Sequence, residues 1–198
     1  MSSNIKRVLI VCVSALTFLI LPGAERACAQ TLAVKTNLLY DATATINLGA
    51  EVALAPEWTL DISGNYNAWD FSNCRKWRHF LIQPEARYWL CEKFNGHFFG
   101  LHVHGGQFNT GNVNTPFGLF GDCRGRRNEG WYYGAGVSYG YQWVLGKRWN
   151  FELNIGAGYV GSDYRMYACP RCGEYYGKDH HDYFGITKAS VSIIFIIF

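Results

Sequence analysis

Trp131-Tyr132-Tyr133-Gly134-Ala135-Gly136-Val137-Ser138-Tyr139-Gly140-Tyr141-Gln142-Trp143 and, after Gly146-Lys147-Arg148, Trp149-Asn150-Phe151-Glu152-Leu153-Asn154-Ile155-Gly156-Ala157-Gly158-Tyr159 form the stretch that decides the fold. Taken at every second residue, the first half places Trp131, Tyr133, Ala135, Val137, Tyr139, Tyr141 and Trp143 on one face, with small or polar residues opposite. The second half repeats the pattern with Trp149, Phe151, Leu153, Ile155, Ala157 and Tyr159. This is the period of a strand, and two such runs around a tight turn make a hairpin. On both strands the apolar face carries Trp or Tyr toward its ends and aliphatic or small residues between them. A sheet in water has no reason to sort an apolar face by depth. A sheet crossing a bilayer does, because Trp and Tyr settle at the two headgroup levels.

Residues 1–29 read as a cleaved signal peptide. Lys6 and Arg7 precede an apolar run from Val8 to Leu21, Pro22 and Gly23 break it, and Ala27-Cys28-Ala29 gives a small-x-small cleavage pattern before Gln30. The run is shorter than the roughly 20 residues a spanning helix needs. Glu25 and Arg26 stand where a lipobox at Cys28 would be apolar. Cleavage removes three of 18 basic and one of 15 acidic residues, leaving 15 and 14. The remaining chain, 30–198, is long enough for one domain. It is nearly neutral and without a basic stripe, so nucleic acid is not an expected partner. The full chain's 22 glycines and 17% aromatic content suit a small barrel that packs bulky side chains beside glycines.

Eight strands are expected from Leu32 onward. The first covers Leu32 to Tyr40. The second alternates Ile46, Leu48, Ala50, Val52 and Leu54 against Thr45, Asn47, Gly49 and Glu51. The third sets Trp58, Leu60, Ile62, Gly64 and Tyr66 against Thr59, Asp61, Ser63 and Asn65. The fourth sets Phe80, Ile82, Pro84, Ala86 and Tyr88 against His79, Gln83, Glu85 and Arg87, and the fifth Phe99, Leu101 and Val103 against Gly100, His102 and His104. The hairpin gives the sixth and seventh, and Tyr183 to Phe198 the eighth. The connections near Pro56, Lys93 and Lys147 are short, whereas Asn67 to Lys76, Asn109 to Gly130 and Asp163 to Asp182 are long. Outer-membrane barrels have short periplasmic turns and long external loops. The expected fold is therefore all-β, an eight-stranded antiparallel transmembrane up-and-down β-barrel in the bacterial outer membrane. Pro84 predicts a bulge or gap in its strand. The apolar run Ile193 to Phe198 is where the inside-outside parity of the last strand can slip.

Lys35-Thr36-Asn37-Leu38-Leu39-Tyr40, Gln83-Pro84-Glu85-Ala86-Arg87-Tyr88-Trp89, Phe94-Asn95-Gly96-His97-Phe98, and Gly134-Ala135-Gly136 through Gln142-Trp143 together resemble a family of Bacteroidetes outer-membrane proteins known only as a domain of unknown function. The resemblance spans about Leu32 to Phe198. It implies a small outer-membrane barrel, sometimes encoded near surface fimbria genes, and supplies no site residues.

Three constellations carry possible chemistry. After cleavage five cysteines remain: Cys74, Cys123, Cys169 and Cys172 fall in long external loops and Cys91 at a periplasmic turn. Disulfides among the first four would staple those loops, each by about 2 to 4 kcal/mol. Alternatively Cys169 and Cys172 form a thiolate half-site that His180 completes as a metal ligand, with His181, Asp179 and Asp182 nearby. Export favours disulfides or free thiols over metal. The second constellation is the inward face: Lys35, Glu51, Asp61, Glu85, Arg87, His102, His104, Glu152 and Lys188. A carboxylate beside His102 or His104 would be an acid/base pair. An eight-stranded barrel is only wide enough for side chains, however, so a mutually satisfied charge network is expected instead, with no pore. Third, Arg124, Arg126 and Arg127 near Asp122 and Glu129 could grip lipid phosphates or sugar acids, although an ordinary solvated loop is the favoured reading.

The expected function is a structural or surface-interaction barrel whose long loops meet a surface or fimbrial partner. No catalysis and no cofactor are expected, and outer-membrane lipid is the other partner. Alternatives are a small-barrel enzyme acting on lipid A or phospholipid, for which Ser72 and His79 near one loop base lack a paired acid, and loop metal capture.

Overall fold

The computed structural model describes residues 32–70, 76–111, 126–168 and 173–197. Among these, eight antiparallel strands close in sequence order into a barrel. They are β1 (Leu32–Asn37), β2 (Ile46–Ala55), β3 (Trp58–Asp70), β4 (Lys76–Trp89), β5 (Gly96–Gly111), β6 (Arg126–Val144), β7 (Trp149–Ala168) and β8 (Tyr175–Ile196), with one short helix, α1 (Leu38–Ala42), between β1 and β2. The ring closes where β8 pairs with β1, from Ala33 opposite Ile196 to Asn37 opposite Ser192. No helix among the described residues is long and apolar enough to cross a membrane, which has no bearing on strands.

The two-residue period sorts the side chains as expected. Leu48, Leu101, Val137 and Ile155 face outward, each more than half exposed. Lys35, Glu51, Asp61, Glu85, Arg87, His102, His104, Glu152 and Lys188 are all buried inside. Outward aromatics gather in cross-strand pairs near the short-turn end, including Trp58 with Tyr88 (5.2 Å), Phe99 with Tyr139 (5.3 Å) and Trp143 with Phe151 (5.7 Å).

The structure corrects several expectations. The first strand ends at Asn37; Leu38 to Ala42 is helical, because the Asn37 side chain accepts the Leu39 N–H and caps it. Of the connections expected to be long, Asp163 to Asp182 is mostly strand, and the described ends of the other two, up to Asp70 and from Lys76, and up to Gly111 and from Arg126, are strand as well. β7 and β8 pair out to Tyr167 opposite Tyr175, and β5 and β6 out to Gly111 opposite Arg127. The sequence blurs there because a wall wetted on both sides carries polar residues on both faces. Pro84 makes a gap: it pairs with Ile62 on β3, but the β4–β5 pairs jump from Ile82–Gly105 to Glu85–His102. Parity holds through Ser190, Ser192 and the buried Ile194. The irregularity in β8 lies higher, where the pairing steps from Gly156–Lys188 to Ala157–Ile186 and leaves Thr187 as an extra residue.

The inward face is not uniformly small and polar. Leu81, Phe108, Tyr132, Val160 and Tyr164 form an apolar layer in the outer half, and Ala33, Ala53, Phe94 and Ile194 another at the opposite end. Phe94 enters from the β4–β5 turn with φ +64°, and Trp89 lies between it and Phe98 at ring distances of 6.0 and 4.8 Å. The charged layer is held between these two.

Residues 1–29, Ser72, Cys74, Asp122, Cys123, Arg124, Cys169, Cys172 and Phe198 lie outside the described residues.

Candidate functional site

Six strands send one or two charged side chains each to the same level of the lumen. Arg87, fully buried, is the hub: Nη1 reaches Glu51 (2.9 Å) and Glu152 (2.7 Å), Nη2 reaches Asp61 (3.1 Å), and Nε reaches Glu85 (2.6 Å). Its guanidinium carbon stands 4.4 Å over the Phe98 ring, so the apolar layer below closes its remaining face. Lys35 Nζ lies 2.8 Å from Glu51 and 3.0 Å from Asp61, and Lys188 Nζ lies 2.8 Å from Glu85. Four carboxylates thus share three cations. Thr59 donates to Glu51 (2.5 Å), and Ser138 (3.1 Å) and Asn154 (3.3 Å) donate to Glu85. Desolvating so many charges is costly, and only a fully bonded arrangement offsets that cost.

At the outer edge of this layer the bulge at Thr187 gives a second grouping. His102 Nε2 is 2.9 Å from Thr187 Oγ1, and Nδ1 is 3.7 Å from Glu85 Oε2. Carboxylate, imidazole and hydroxyl stand in the order used for nucleophilic catalysis. The carboxylate end is too long for a hydrogen bond, and Glu85 Oε2 already accepts from Lys188 and Ser138. Glycines make the room: a Cβ on Gly136 or Gly156 would come within 2.8 or 2.9 Å of the His102 ring. His102 and Glu85 are legible in the alternation, whereas Thr187 sits where the phase shifts by one residue and belongs to neither run.

Above the apolar layer the barrel ends in an open mouth of about 620 Å³, lined among others by Arg78, Glu129, Asp163, Arg165, Lys178 and Asp179. Of the predicted arginine group, Arg127 lies over Tyr167 (4.8 Å) and 3.9 Å from Glu129, and Arg126 over Tyr176 (5.8 Å). His79 lines the mouth and the cavity below it, against Trp77 at 5.9 Å. Cys91 is free and exposed just after β4.

His180, the third predicted metal ligand, lies on the outer part of β8. Its Nδ1 is 2.7 Å from Asp163 and its Nε2 is 2.9 Å from Asp182, which also accepts from Tyr159. No metal-ligand cluster occurs among the described residues. The hydrogen bond to Asp163, then that to Asp182, raises the His180 pKa above 6.5. A raised folded pKa stabilises the β7–β8 extension fully below pH 6.5, and the effect is lost as pH rises through the folded value. Amide protection, measured against the exchange rate of the unfolded chain at the same pH, should therefore be greatest in mild acid and fall through neutrality in residues 163–168 and 175–182. D163N should lower the pH of that change, and added salt should shrink it because the clamp is exposed.

Closed ring, outward aliphatic belt and filled, ion-paired lumen define a small antiparallel β-barrel with a tall polar rim. The chain belongs to the family described as Protein of unknown function (DUF3575), whose model matches residues 13–197. No curated protein and no solved structure matches it.

Proposed function

We propose that this is an exported, outer-membrane β-barrel protein with a structural or surface-interaction role, its rim and outer connections meeting a surface or fimbrial partner. The observation that carries the reading is the outward belt. Leu48 is 64% exposed, Leu101 63%, Val137 63% and Ile155 58%, on successive faces of one closed ring. So continuous an apolar girdle is far beyond what a soluble monomer exposes, and bilayer hydrocarbon would cover it. The signal-peptide pattern of residues 1–29 and the family resemblance support export to the outer membrane of a Bacteroidetes cell. Beyond the belt the strands continue into the polar rim, which supports contact with a partner rather than with lipid.

Outer-membrane fractions run on a gel with and without boiling test the location. Heat-dependent mobility is expected; soluble protein in the periplasm would overturn the reading. Deletion that leaves envelope integrity, surface assembly and adhesion unchanged would overturn the role.

The Glu85–His102–Thr187 grouping favours one second reading, an enzyme acting on lipid A or phospholipid. An unchanged lipid profile on expressing wild-type protein against H102A and T187A would remove it.

A further inference from the structure

We infer that the outer half of the barrel admits one aliphatic chain of a bilayer lipid, sideways, through the gap between α1 and β8. The inference rests on the membrane reading above. Its origin is a mismatch of strand lengths. β1 stops at Asn37, opposite Ser192, while β8 continues outward to Tyr175, so beyond Val191 β8 has a strand neighbour only in β7. The Asn37 amide takes the place of the missing strand for one step: Oδ1 accepts from the Val191 N–H (3.1 Å) and Nδ2 donates to the Ala189 carbonyl (3.3 Å). The segment after α1 is tied to the other side, to β3, by Asn67 Nδ2 to Thr45 Oγ1 (2.8 Å) and Trp69 Nε1 to the Ala44 carbonyl (2.7 Å). The wall beside α1 is therefore held on both flanks by two side-chain hydrogen bonds each, and above Ser192 no strand ladder joins it to β8.

A cavity of about 390 Å³ lies at this seam. Its outer lining is Leu39 and Ile186, 46% and 40% exposed on the belt side, and its inner lining is Leu81, Tyr132 and Val160, buried in the lumen. One apolar surface thus runs from the belt, beside the 82% exposed Phe184, into the barrel. The volume is at the small end of ligand pockets. Lys188 is its one charged lining residue, already bonded to Glu85. Such a lining selects a hydrocarbon chain over a sugar or a peptide. The chain would come from the bilayer because the opening is in the belt, not in the rim.

The test places the full-length mature protein in phosphatidylcholine vesicles containing phosphatidylcholine with a mid-chain diazirine, irradiates, and maps the labelled residues. Adducts are expected on Leu81, Tyr132 or Val160 as well as on the belt residues Leu101 and Ile155. V160W, or L81W where V160W does not show a heat-dependent mobility shift, should cut the inner adducts roughly fivefold or more by filling the cavity, with belt adducts unchanged. Belt adducts without inner ones would overturn the inference and leave the membrane reading standing. Labelling at neither set would overturn both. Inner labelling by free diazirine fatty acid but not by the phospholipid would overturn the lipid as the source.

Discussion

Replacing Arg87 by Met should cost about 3–5 kcal/mol of barrel stability, the largest loss expected from any single lumen side chain. The reason lies less in the contacts removed than in what is left. Glu51, Asp61, Glu85 and Glu152 would still face one another at full burial, with Lys35 and Lys188 alone to balance them. Met also fills less of the space above Phe98, which Arg87 now covers. Denaturant unfolding in vesicles, read by gel mobility, measures the effect. Adding E152Q to R87M should recover part of the loss, since the two residues share contacts and are not additive. An R87M midpoint within experimental error of wild type would mean that the network does not hold the barrel in its folded form.

Gly158 to Val should be comparably damaging for a different reason. Here β6 and β7 approach so closely that a Cβ on Gly158 would overlap the Ala135 carbonyl and come within 2.5 Å of the Gly136 Cα. Both obstacles are backbone, so no rotamer change relieves them and the strands must separate. Overpacking of this kind costs about 1–3 kcal/mol, and more where backbone has to move. Gly146 in the β6–β7 turn is the control: nothing lies within 4 Å of its Cβ position, and G146A should leave mobility and unfolding midpoint unchanged. Equal effects of the two substitutions would show that glycine freedom, not close approach, matters at position 158.

The wall and the charged layer could be read from the sequence because both depend only on alternation. Once Glu51, Asp61, Glu85, Arg87 and Glu152 share a face with glycines and the opposite face is aliphatic, the inside is decided before any contact is known. What depended on three dimensions was hidden. Leu38-Leu39-Tyr40 looks like continued strand, and only the cap at Asn37 turns it into a helix. Asp163, Arg165, Asp179 and Asp182 look like loop because a strand standing in water on both sides loses its apolar stripe. Leu81, Phe108, Tyr132 and Val160 do not announce an apolar layer, since an expectation of a small, polar lumen has no place for one. The Thr187 bulge switches the outward residues from Phe184 and Ile186 to Ala189, a one-residue change of phase too short to stand out in a strand this apolar. The cysteine pairing and the Cys169–Cys172 metal half-site concern residues outside those described, and remain expectations.

The short seam between β1 and β8 bears on how the barrel is made. Every other pairing joins neighbours in sequence and can zip from a turn, but Ala33–Asn37 must find Ser192–Ile196 across almost the whole domain. Closing so long a loop costs entropy before any ladder bond repays it. The seam is therefore expected to be the last join made during assembly and the first to part on unfolding. A curled, open sheet with β1 and β8 unjoined is the expected intermediate on both routes.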